Sequence, residues 1–311
     1  MIGIDVGGAN LKIVDGDDVI IHYCPLWKES PIATYLKPYA GRKAAVVMSG
    51  ELADGFSSKE EGIAFIVHAV RSVISDAWFY GTDGAFHAEP CMSLAAANWL
   101  ASADYLRTKF PESVFVDMGS TTTDIIPLSS FDRLLSLRDL DRLQRGMLVY
   151  TGLLRAPVAS LIREVSLDCG ATRTLVANEL FAISADVHLV MGHIGKVEYA
   201  VPTPDNAGVM ISESLQRLAR MVCSDLSEIG EENARAVAAA FWDEQRSVIE
   251  EEIRRASGSE TMPNLICAGI GSALLAQTFG GRDLSDIYGT MTDAFPPAFA
   301  VREVAKRNAE L

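Results

Sequence analysis

Two segments of the chain carry the same residue types at the same spacing. The first reads Ile4-Asp5-Val6-Gly7-Gly8-Ala9-Asn10-Leu11-Lys12-Ile13, and the second reads Val116-Asp117-Met118-Gly119-Ser120-Thr121-Thr122-Thr123-Asp124-Ile125. In each, an Asp closes a short apolar run, a Gly turn follows and a second apolar run returns, as in a β-hairpin. A Gly turn brings backbone N–H groups close to an anion, and a neighbouring carboxylate can bind Mg²⁺. Two such hairpins facing each other would clamp a metal-bound polyphosphate.

We expect each hairpin to contribute one metal ligand and several phosphate contacts. Asp5 and Asp117 are the expected ligands of Mg²⁺, and the alternative is that each Asp caps its own turn. Lys12 has the charge and reach for a phosphate, with exposure to solvent as the alternative. The hydroxyl residues of the second hairpin suit phosphate oxygens, or they are ordinary strand formers. The expected phosphate-binding residues are Gly7, Gly8, Asn10, Lys12, Gly119, Ser120, Thr121 and Thr122.

Four further residues are candidates for proton transfer and substrate recognition. Glu51 follows the apolar run 44–48, and α/β sheets place ligand-contacting loops at such strand ends. Asp124 aligns with a lysine of the first hairpin, and it could accept a proton or position a cation. Arg155 and Arg142 could bind a substrate carboxylate through two hydrogen bonds, or they could form surface ion pairs.

Two other polar clusters point to less specific roles. Gly269, Gly271 and Ser272 form a late turn between an apolar run and a helical pattern. A Rossmann fingerprint would have a third Gly here, so nicotinamide binding is not favoured. His188 and His193 stand on an apolar stretch at a spacing that fits no usual metal site, so we expect core or surface histidines.

The elements that hold these residues are predicted to form two α/β halves. Strand and helix patterns of the first half follow the order β-β-β-α-β-α-β-α, which is that of a ribonuclease-H-like unit. A second strand–turn–strand pattern begins at Val114, and Pro111 stops the preceding helix. We therefore expect two domains around a cleft, at residues 1–112 and 113–311. Helical spacing in the second half predicts helices over 175–184, 212–227 and 232–256, the last of them exposed.

Composition limits the class of protein. With 311 residues and 49% hydrophobic content, the chain can build the cores of two domains. Its 41 acidic and 27 basic residues give a net charge of −14, which argues against a broad nucleic-acid surface but not against a local phosphate site. The five cysteines are scattered and show no CxxC pair, as expected for thiols in a reducing cytoplasm. We expect a cytoplasmic protein with no signal peptide and no membrane span. The oligomeric state stays open, a homo-oligomer included.

The paired hairpins and the late Gly turn resemble those of the actin, sugar-kinase and Hsp70 superfamily. There the hairpins are two phosphate loops, and Ala268-Gly269-Ile270-Gly271-Ser272 resembles the adenosine loop. Further segments are similar to the hydantoinase/oxoprolinase branch, and most similar to short archaeal proteins of tetrahydromethanopterin-linked one-carbon metabolism. That group includes a synthase of methanofuran biosynthesis. The segments are 7–12, 50–54, 117–127, 150–157 and 223–226.

The resemblance implies a fold, a reaction and a set of roles. The fold is two ribonuclease-H-like domains around a cleft. The reaction condenses an aminomethyl-furanmethyl diphosphate with γ-glutamyltyramine, which forms an aryl ether and releases diphosphate with the help of Mg²⁺. Glu51 or Asp124 would take the phenol proton, and Arg155 would bind the γ-glutamyl carboxylates. Gly269, Gly271 and Ser272 would form the adenosine-like loop.

Two departures from sugar kinases weaken a simple sugar-kinase interpretation, although other functions of the superfamily stay open. Sugar kinases usually carry Thr or Ser where this chain has Ala9, and they use an Asp base where it has Asn98-Trp99. An ATP-dependent kinase or an amide-ring hydrolase of the same superfamily is the second hypothesis. A nucleotide-gated regulatory protein without chemistry is the third, because one fold hosts many functions.

Overall fold

A computed structural model of the chain describes residues 1–28, 31–289 and 297–308. The strands are β1 (Ile2–Val6), β2 (Asn10–Asp15), β3 (Asp18–Tyr23), β4 (Ala44–Met48), β5 (Ala77–Tyr80), β6 (Phe86–His87), β7 (Val114–Met118), β8 (Thr123–Pro127), β9 (Leu148–Val149), β10 (Glu164–Leu167), β11 (Thr172–Leu175), β12 (Leu265–Ala268) and β13 (Arg282–Asp283). The α-helices are α1 (Ile32–Leu36), α2 (Lys59–Arg71), α3 (Asn98–Leu106), α4 (Asp139–Gln144), α5 (Val158–Leu161), α6 (Ser184–Met191), α7 (Ile211–Arg220), α8 (Leu226–Ser257), α9 (Ser272–Phe279), α10 (Leu284–Tyr288) and α11 (Pro297–Arg307).

The first sheet has the strand order β3-β2-β1-β4-β5-β6. Its first three strands form an antiparallel meander, and β4 and β5 follow parallel to β1. Every residue of β1 and β4 is buried, because these two central strands are covered by helices on both faces. Nearly continuous apolar sequence is what such strands require.

The second sheet repeats this arrangement with the order β13-β12-β7-β8-β9. Strands β7, β8 and β9 are antiparallel neighbours, while β12 is parallel to β7 and β13 is parallel to β12. Read in reverse, the second sheet has the order β9-β8-β7-β12-β13, which matches the order β3-β2-β1-β4-β5 of the first sheet without its edge strand β6. The prediction of two ribonuclease-H-like domains is therefore confirmed.

Helices α3 and α11 lie between the two sheets and share one core with both. Val47 of β4, Phe115 of β7 and Ile266 of β12 all belong to this core. Helix α11 packs on the first sheet so closely that a Cβ at Gly3 would stand 1.8 Å from the carbonyl oxygen of Ala298. The boundary predicted near residue 112 stays a prediction, and the last described helix returns to the first half.

An insertion of helices and a two-stranded sheet separates β9 from β12. It contains α5 to α8 with the β10–β11 ribbon, and it has a core of its own. The helix predicted over 175–184 is wrong. Strand β11 ends at Leu175 and α6 begins at Ser184, and in between Ala177 donates its N–H to the carbonyl of Met221 at 2.7 Å.

Helix α8 runs through the middle of the second half, so the prediction that it is exposed is also wrong. Its acidic and basic residues face solvent, but one stripe is fully buried against the second sheet and the insertion. The stripe consists of Ala234, Val237, Ala238, Phe241, Gln245, Ile249 and Ile253. Over residues 1–28, 31–289 and 297–308, no helix combines the length and apolar character that a membrane span needs.

Candidate active site

Both predicted hairpins are present, and each places its polar residues at the same point of its sheet. Asp5 of β1 lies opposite Lys12 of β2. Asp117 of β7 lies opposite Asp124 of β8. Residues directly opposite in an antiparallel pair project on the same face, so each hairpin presents one pair of charged side chains.

The turns of the two hairpins close in the same way. In the first loop, residues 7–10, the glycine N–H donates to the Asn10 carbonyl at 2.9 Å. In the second loop, residues 119–122, the glycine N–H donates to the Thr122 carbonyl at 2.9 Å. Each loop therefore has a two-residue tip, as the Gly pattern of the sequence predicts.

The carbonyl groups of both loops are bound by the chain that passes behind them. The Gly8 carbonyl accepts from the N–H of Leu26 at 2.9 Å, and the Ser120 carbonyl accepts from the N–H of Arg155 at 2.8 Å. In the part of the chain that the structure describes, the tip N–H groups donate to no backbone carbonyl. These are the N–H groups of Gly8, Ala9, Ser120 and Thr121. Successive N–H groups of this kind suit an anion.

Two glycines outside the hairpins allow the chain to pack against the loops. A Cβ at Gly50 would lie 2.8 Å from the carbonyl oxygen of Gly7. A Cβ at Gly152 would lie 2.7 Å from both the carbonyl oxygen of Gly119 and the nitrogen of Thr121. Only a residue without a side chain permits this approach. Both loops are therefore supported from behind.

Asp5 is buried, and only one of its two carboxylate oxygens has a hydrogen-bond partner in the described structure. Its Oδ2 accepts from Lys12 Nζ at 3.2 Å, and the Asp5 side chain is 3% exposed. Its Oδ1 is buried and has no hydrogen-bond partner in the described structure. A buried carboxylate oxygen without a donor is costly, which indicates that a further group belongs beside it.

Asp117 shows that the two hairpins approach each other. Burial and the facing carboxylate of Asp124 raise the pKa of Asp117 to about 7. Lys12 of the other hairpin lowers this pKa and Asp5 raises it. The two hairpins therefore lie close enough for the charges of one to act on the other.

The donor set fits Mg²⁺ bound together with phosphate. Asp5 Oδ1 is unpaired, and the Asp117 carboxyl lies among carboxylates that a cation would stabilise. Within the described ranges, no group of three or more His, Cys, Asp or Glu side chains forms a metal site. Mg²⁺ commonly binds through one or two carboxylates, with waters and substrate phosphates as its other ligands. The assignment of Asp5 and Asp117 as ligands stays a prediction.

Arg142 connects the second hairpin to α4 and α3. Its guanidinium donates to Asp124 and, at 3.0 Å, to Asp139. It lies over the ring of Trp99, 4.4 Å from the ring centroid. Because Arg142 is buried and already binds two carboxylates, the hypothesis that it receives a substrate carboxylate is wrong. In the sequence, Trp99 was notable only because it stands where sugar kinases have an Asp base. In the structure, its ring supports this guanidinium.

Glu51 is the second buried carboxylate with an unpaired oxygen. It is 2% exposed, and its Oε2 has no partner in the described structure. Burial raises the pKa of Glu51, and the charge of Asp139 raises it further. Lys59 lowers it. Helix α2 holds the residue in place, since a Cβ at Gly62 would lie 2.2 Å from the Glu51 carbonyl oxygen.

Four buried polar side-chain atoms have no hydrogen-bond partner in the described structure. They are Asp5 Oδ1, Glu51 Oε2, Trp99 Nε1 and Arg142 Nε. Native proteins leave few such atoms unpaired, and those that remain call for an explanation such as an absent ion or ligand. The two carboxylate oxygens among them, Asp5 Oδ1 and Glu51 Oε2, are acceptors that a bound cation or a ligand donor would satisfy.

Arg155 lies beside the second loop. Its N–H binds the Ser120 carbonyl, and its side chain is exposed. Its guanidinium is exposed near the second loop. Asn10 is exposed at the first loop in the same way. The roles expected for both residues stay predictions.

The late Gly turn packs against the second hairpin. Gly269 has φ +81°, and a Cβ there would stand 2.3 Å from Asp117 Oδ1. Gly271 donates its N–H to the Met118 carbonyl at 3.1 Å. Ser272 begins α9, and its hydroxyl donates to Asp283 at 3.1 Å. This turn supports Asp117, and its expected contact with adenosine stays a prediction.

Comparison with known proteins places the chain in a family. The hydantoinase/oxoprolinase family model matches residues 42–294. Over 327 aligned residues, the chain is 31% identical to the (4-{4-[2-(gamma-L-glutamylamino)ethyl]phenoxymethyl}furan-2-yl)methanamine synthase of Methanocaldococcus jannaschii, with 100% of this chain and 98% of that protein covered. A protein of the same name from Methanococcus vannielii is 31% identical over 209 residues, which cover 64% of this chain and 93% of that protein.

Solved structures are more distant. An acetone carboxylase in its nucleotide-free form is 11% identical, with a TM-score of 0.43. The match covers 88% of this chain and 43% of that chain.

Proposed function

The chain belongs to the hydantoinase/oxoprolinase family, and from this membership we propose that it is a transferase that forms an aryl ether. It joins an aminomethyl-furanmethyl diphosphate to γ-glutamyltyramine and releases diphosphate. The observation that carries the proposal is the similarity to the M. jannaschii synthase along the whole of both chains. The name of that relative describes a phenoxymethyl group that joins a phenyl ring to a furan. The bond to be made is therefore between a phenol oxygen and a furan methylene carbon.

The two loops would hold the leaving group. The free N–H groups of residues 8–9 and 120–121 would bind its phosphate oxygens, with Lys12 as a charged donor from the first hairpin. Asp5 and Asp117 would hold Mg²⁺, which when bound supplies positive charge to the departing diphosphate. Fixed donors aimed at developing negative charge are the main source of such catalysis.

Bond breaking leaves positive charge on the methylene carbon. The furan ring delocalises this charge, so the carbon–oxygen bond to diphosphate can break before the ether bond has formed. The phenol oxygen then attacks the carbon and loses its proton. The protein's main task is to position the two substrates and to balance the charge.

Glu51 is the proposed acceptor of the phenol proton. A phenol has a pKa of about 10, so at neutral pH it needs a base to become a good nucleophile. Glu51 Oε2 is buried and unpaired, whereas the Asp124 carboxylate is bound by Arg142. We therefore put Glu51 first and Asp124 second. Arg155, whose side chain is exposed beside the second loop, would bind the γ-glutamyl carboxylates.

The experiment is a diphosphate-release assay with both substrates. Release should need the phenolic amide, should stop with EDTA and should return with Mg²⁺. ATP serves as the comparator, since an ATP-dependent kinase or hydrolase would instead release ADP or phosphate from ATP. Both curated relatives carry the synthase name, which does not favour that alternative. Phosphate release from ATP without any diphosphate release from the furan substrate would refute the proposal.

A further inference from the structure

A buried chain of polar side chains crosses the second half away from the cleft. His188 of α6 is fully buried, and its Nδ1 lies 2.9 Å from Nδ1 of His193. Its Nε2 lies 2.9 Å from Oε1 of Gln245, in the buried stripe of α8. The Gln245 amide nitrogen then reaches Oγ1 of Thr151 at 2.7 Å and the carbonyl of Gly152 at 3.0 Å.

The protons between His193 and the Gln245 amide each have one possible position. The Gly152 carbonyl can only accept, so the NH₂ group of Gln245 faces it and Oε1 faces His188. His188 must then carry its proton on Nε2. Burial and the neighbouring His193 lower the pKa of His188 to about 3, so the ring is neutral and its Nδ1 accepts from His193. The orientation of the Gln245 amide is fixed by its partners.

The inner end of this chain supports the second loop. Thr123, the first residue of β8, donates its hydroxyl to the Thr151 carbonyl at 2.7 Å. Gly152 touches the backbone of Gly119 and Thr121, as its 2.7 Å Cβ distances require. Leu153 then donates its N–H to the Gly119 carbonyl at 3.0 Å. Residues 151–153 therefore form the surface against which the second loop rests.

We propose that Gln245 is a positioning residue for anion binding by the second loop. It ties residues 151–152 to the rigid core of α8, which keeps the free N–H groups of Ser120 and Thr121 in place. The residue does not touch the cleft, so it acts only through the loop. The identity of the anion, a diphosphate, rests on the proposed function, while the positioning of the loop does not.

The test compares variants of similar shape. Gln245→Met keeps the volume but removes both donors and the acceptor. Thr151→Val is milder and removes only the hydroxyl that Gln245 binds. Tyr199→Phe is the matched control: it removes one buried hydrogen bond in the same half, from Tyr199 to Asp186 at 3.0 Å, and Asp186 has no bond to residues 151–153 in the described structure.

Two measurements apply to each variant. Hydrogen exchange at the N–H groups of residues 119–122 reports loop order directly. Titration with Mg²⁺ and inorganic diphosphate reports anion binding, and titration with γ-glutamyltyramine reports the other substrate. We expect faster exchange and about tenfold weaker diphosphate binding in Gln245→Met, which corresponds to the net free energy of about one of the three hydrogen bonds that the variant loses. Thr151→Val should also speed exchange and weaken diphosphate binding, but less than Gln245→Met does. Binding of γ-glutamyltyramine should not change in either variant.

The outcomes separate the two proposals. If exchange of the loop in Gln245→Met and Thr151→Val equals that of Tyr199→Phe, the positioning role is refuted. Equal weakening of both substrates would also refute it, because general loss of structure has that effect. If the wild-type protein releases no diphosphate from the furan substrate while the exchange difference is present, the proposed function fails and the positioning role stands.

Discussion

Glu51 combines three properties that rarely occur together by chance. It lies just beyond the end of a central parallel strand, it is buried, and one of its carboxylate oxygens has no partner in the described structure. Perturbed carboxylates in a cleft are typical of catalytic sites, although structural networks also produce them. Its role is open to a direct test.

We expect Glu51→Gln to lower kcat by about 10²–10⁴-fold, the usual loss when a general base is removed. Both substrates should bind nearly as before, because the amide keeps the shape. Glu60→Gln, on the exposed face of α2, is the matched control and should leave kcat unchanged. If Glu51→Gln retains kcat within a few-fold, the proton goes elsewhere, and Asp124 or a diphosphate oxygen becomes the acceptor.

The same residue predicts a pH dependence. Burial raises the pKa of Glu51 above its ordinary value of 4.5, and a base must be ionised to act. The rate should therefore fall as the pH decreases through this raised pKa, at a higher pH than an exposed glutamate would cause. A pH–rate profile of kcat checks this limb, which should disappear in Glu51→Gln. An unchanged limb in the variant would assign it to another group.

Asp5 and Asp117 are expected to act as a pair. Asp5→Asn and Asp117→Asn should each lower turnover by at least about 10²-fold and raise the Mg²⁺ concentration needed for half-maximal rate, because each removes a charged ligand. The fold should survive, which circular dichroism can verify. Asp17→Asn, at an exposed turn, is the control. Normal Mg²⁺ dependence in both variants would rule out the metal clamp.

Among the secondary-structure elements, the hairpins were predicted correctly from local sequence patterns. Elements that depend on pairing between distant parts of the chain could not be predicted in this way. The hairpins were predictable because each is an apolar run, a Gly turn and a second run within a short stretch. Strands β9 and β13 have two residues each, and only their partners in the sheet define them. The pairing of Arg142 with Trp99 joins distant parts of the chain and leaves no local signal.

Helix α2 holds the backbone of Glu51, the proposed base. We expect Gly62→Ala to destabilise the protein and lower kcat, although Ala normally favours a helix over Gly by about 1 kcal/mol. The reason is the 2.2 Å distance from the new Cβ to the Glu51 carbonyl oxygen. Denaturant unfolding and kcat measure the two effects. Glu60→Ala on the same helix is the control, and stabilisation by Gly62→Ala would contradict the packing described here.

At the scale of the whole molecule, the shared core between the sheets predicts joint unfolding. Both halves contribute residues to this core, and α11, which comes late in the chain, packs on the first sheet. We expect one cooperative transition in denaturant, followed by fluorescence and circular dichroism together. Gly3→Ala should shift that single transition to lower denaturant, because α11 must move. Two separate transitions would show that the halves are independent.

The repeated hairpins differ in one charge, and that difference gives the cleft a direction. A scaffold of two matching halves would bind a symmetrical diphosphate equally well in either orientation. Here Asp5 faces a lysine, whereas Asp117 faces Asp124, whose charge is compensated by Arg142. The two hairpins therefore differ in charge, and if they hold the diphosphate as proposed, a substrate with one esterified phosphate should have a single preferred orientation. In the proposed reaction, this difference between a lysine and an aspartate at matching positions would decide at which end of the site the new ether bond forms.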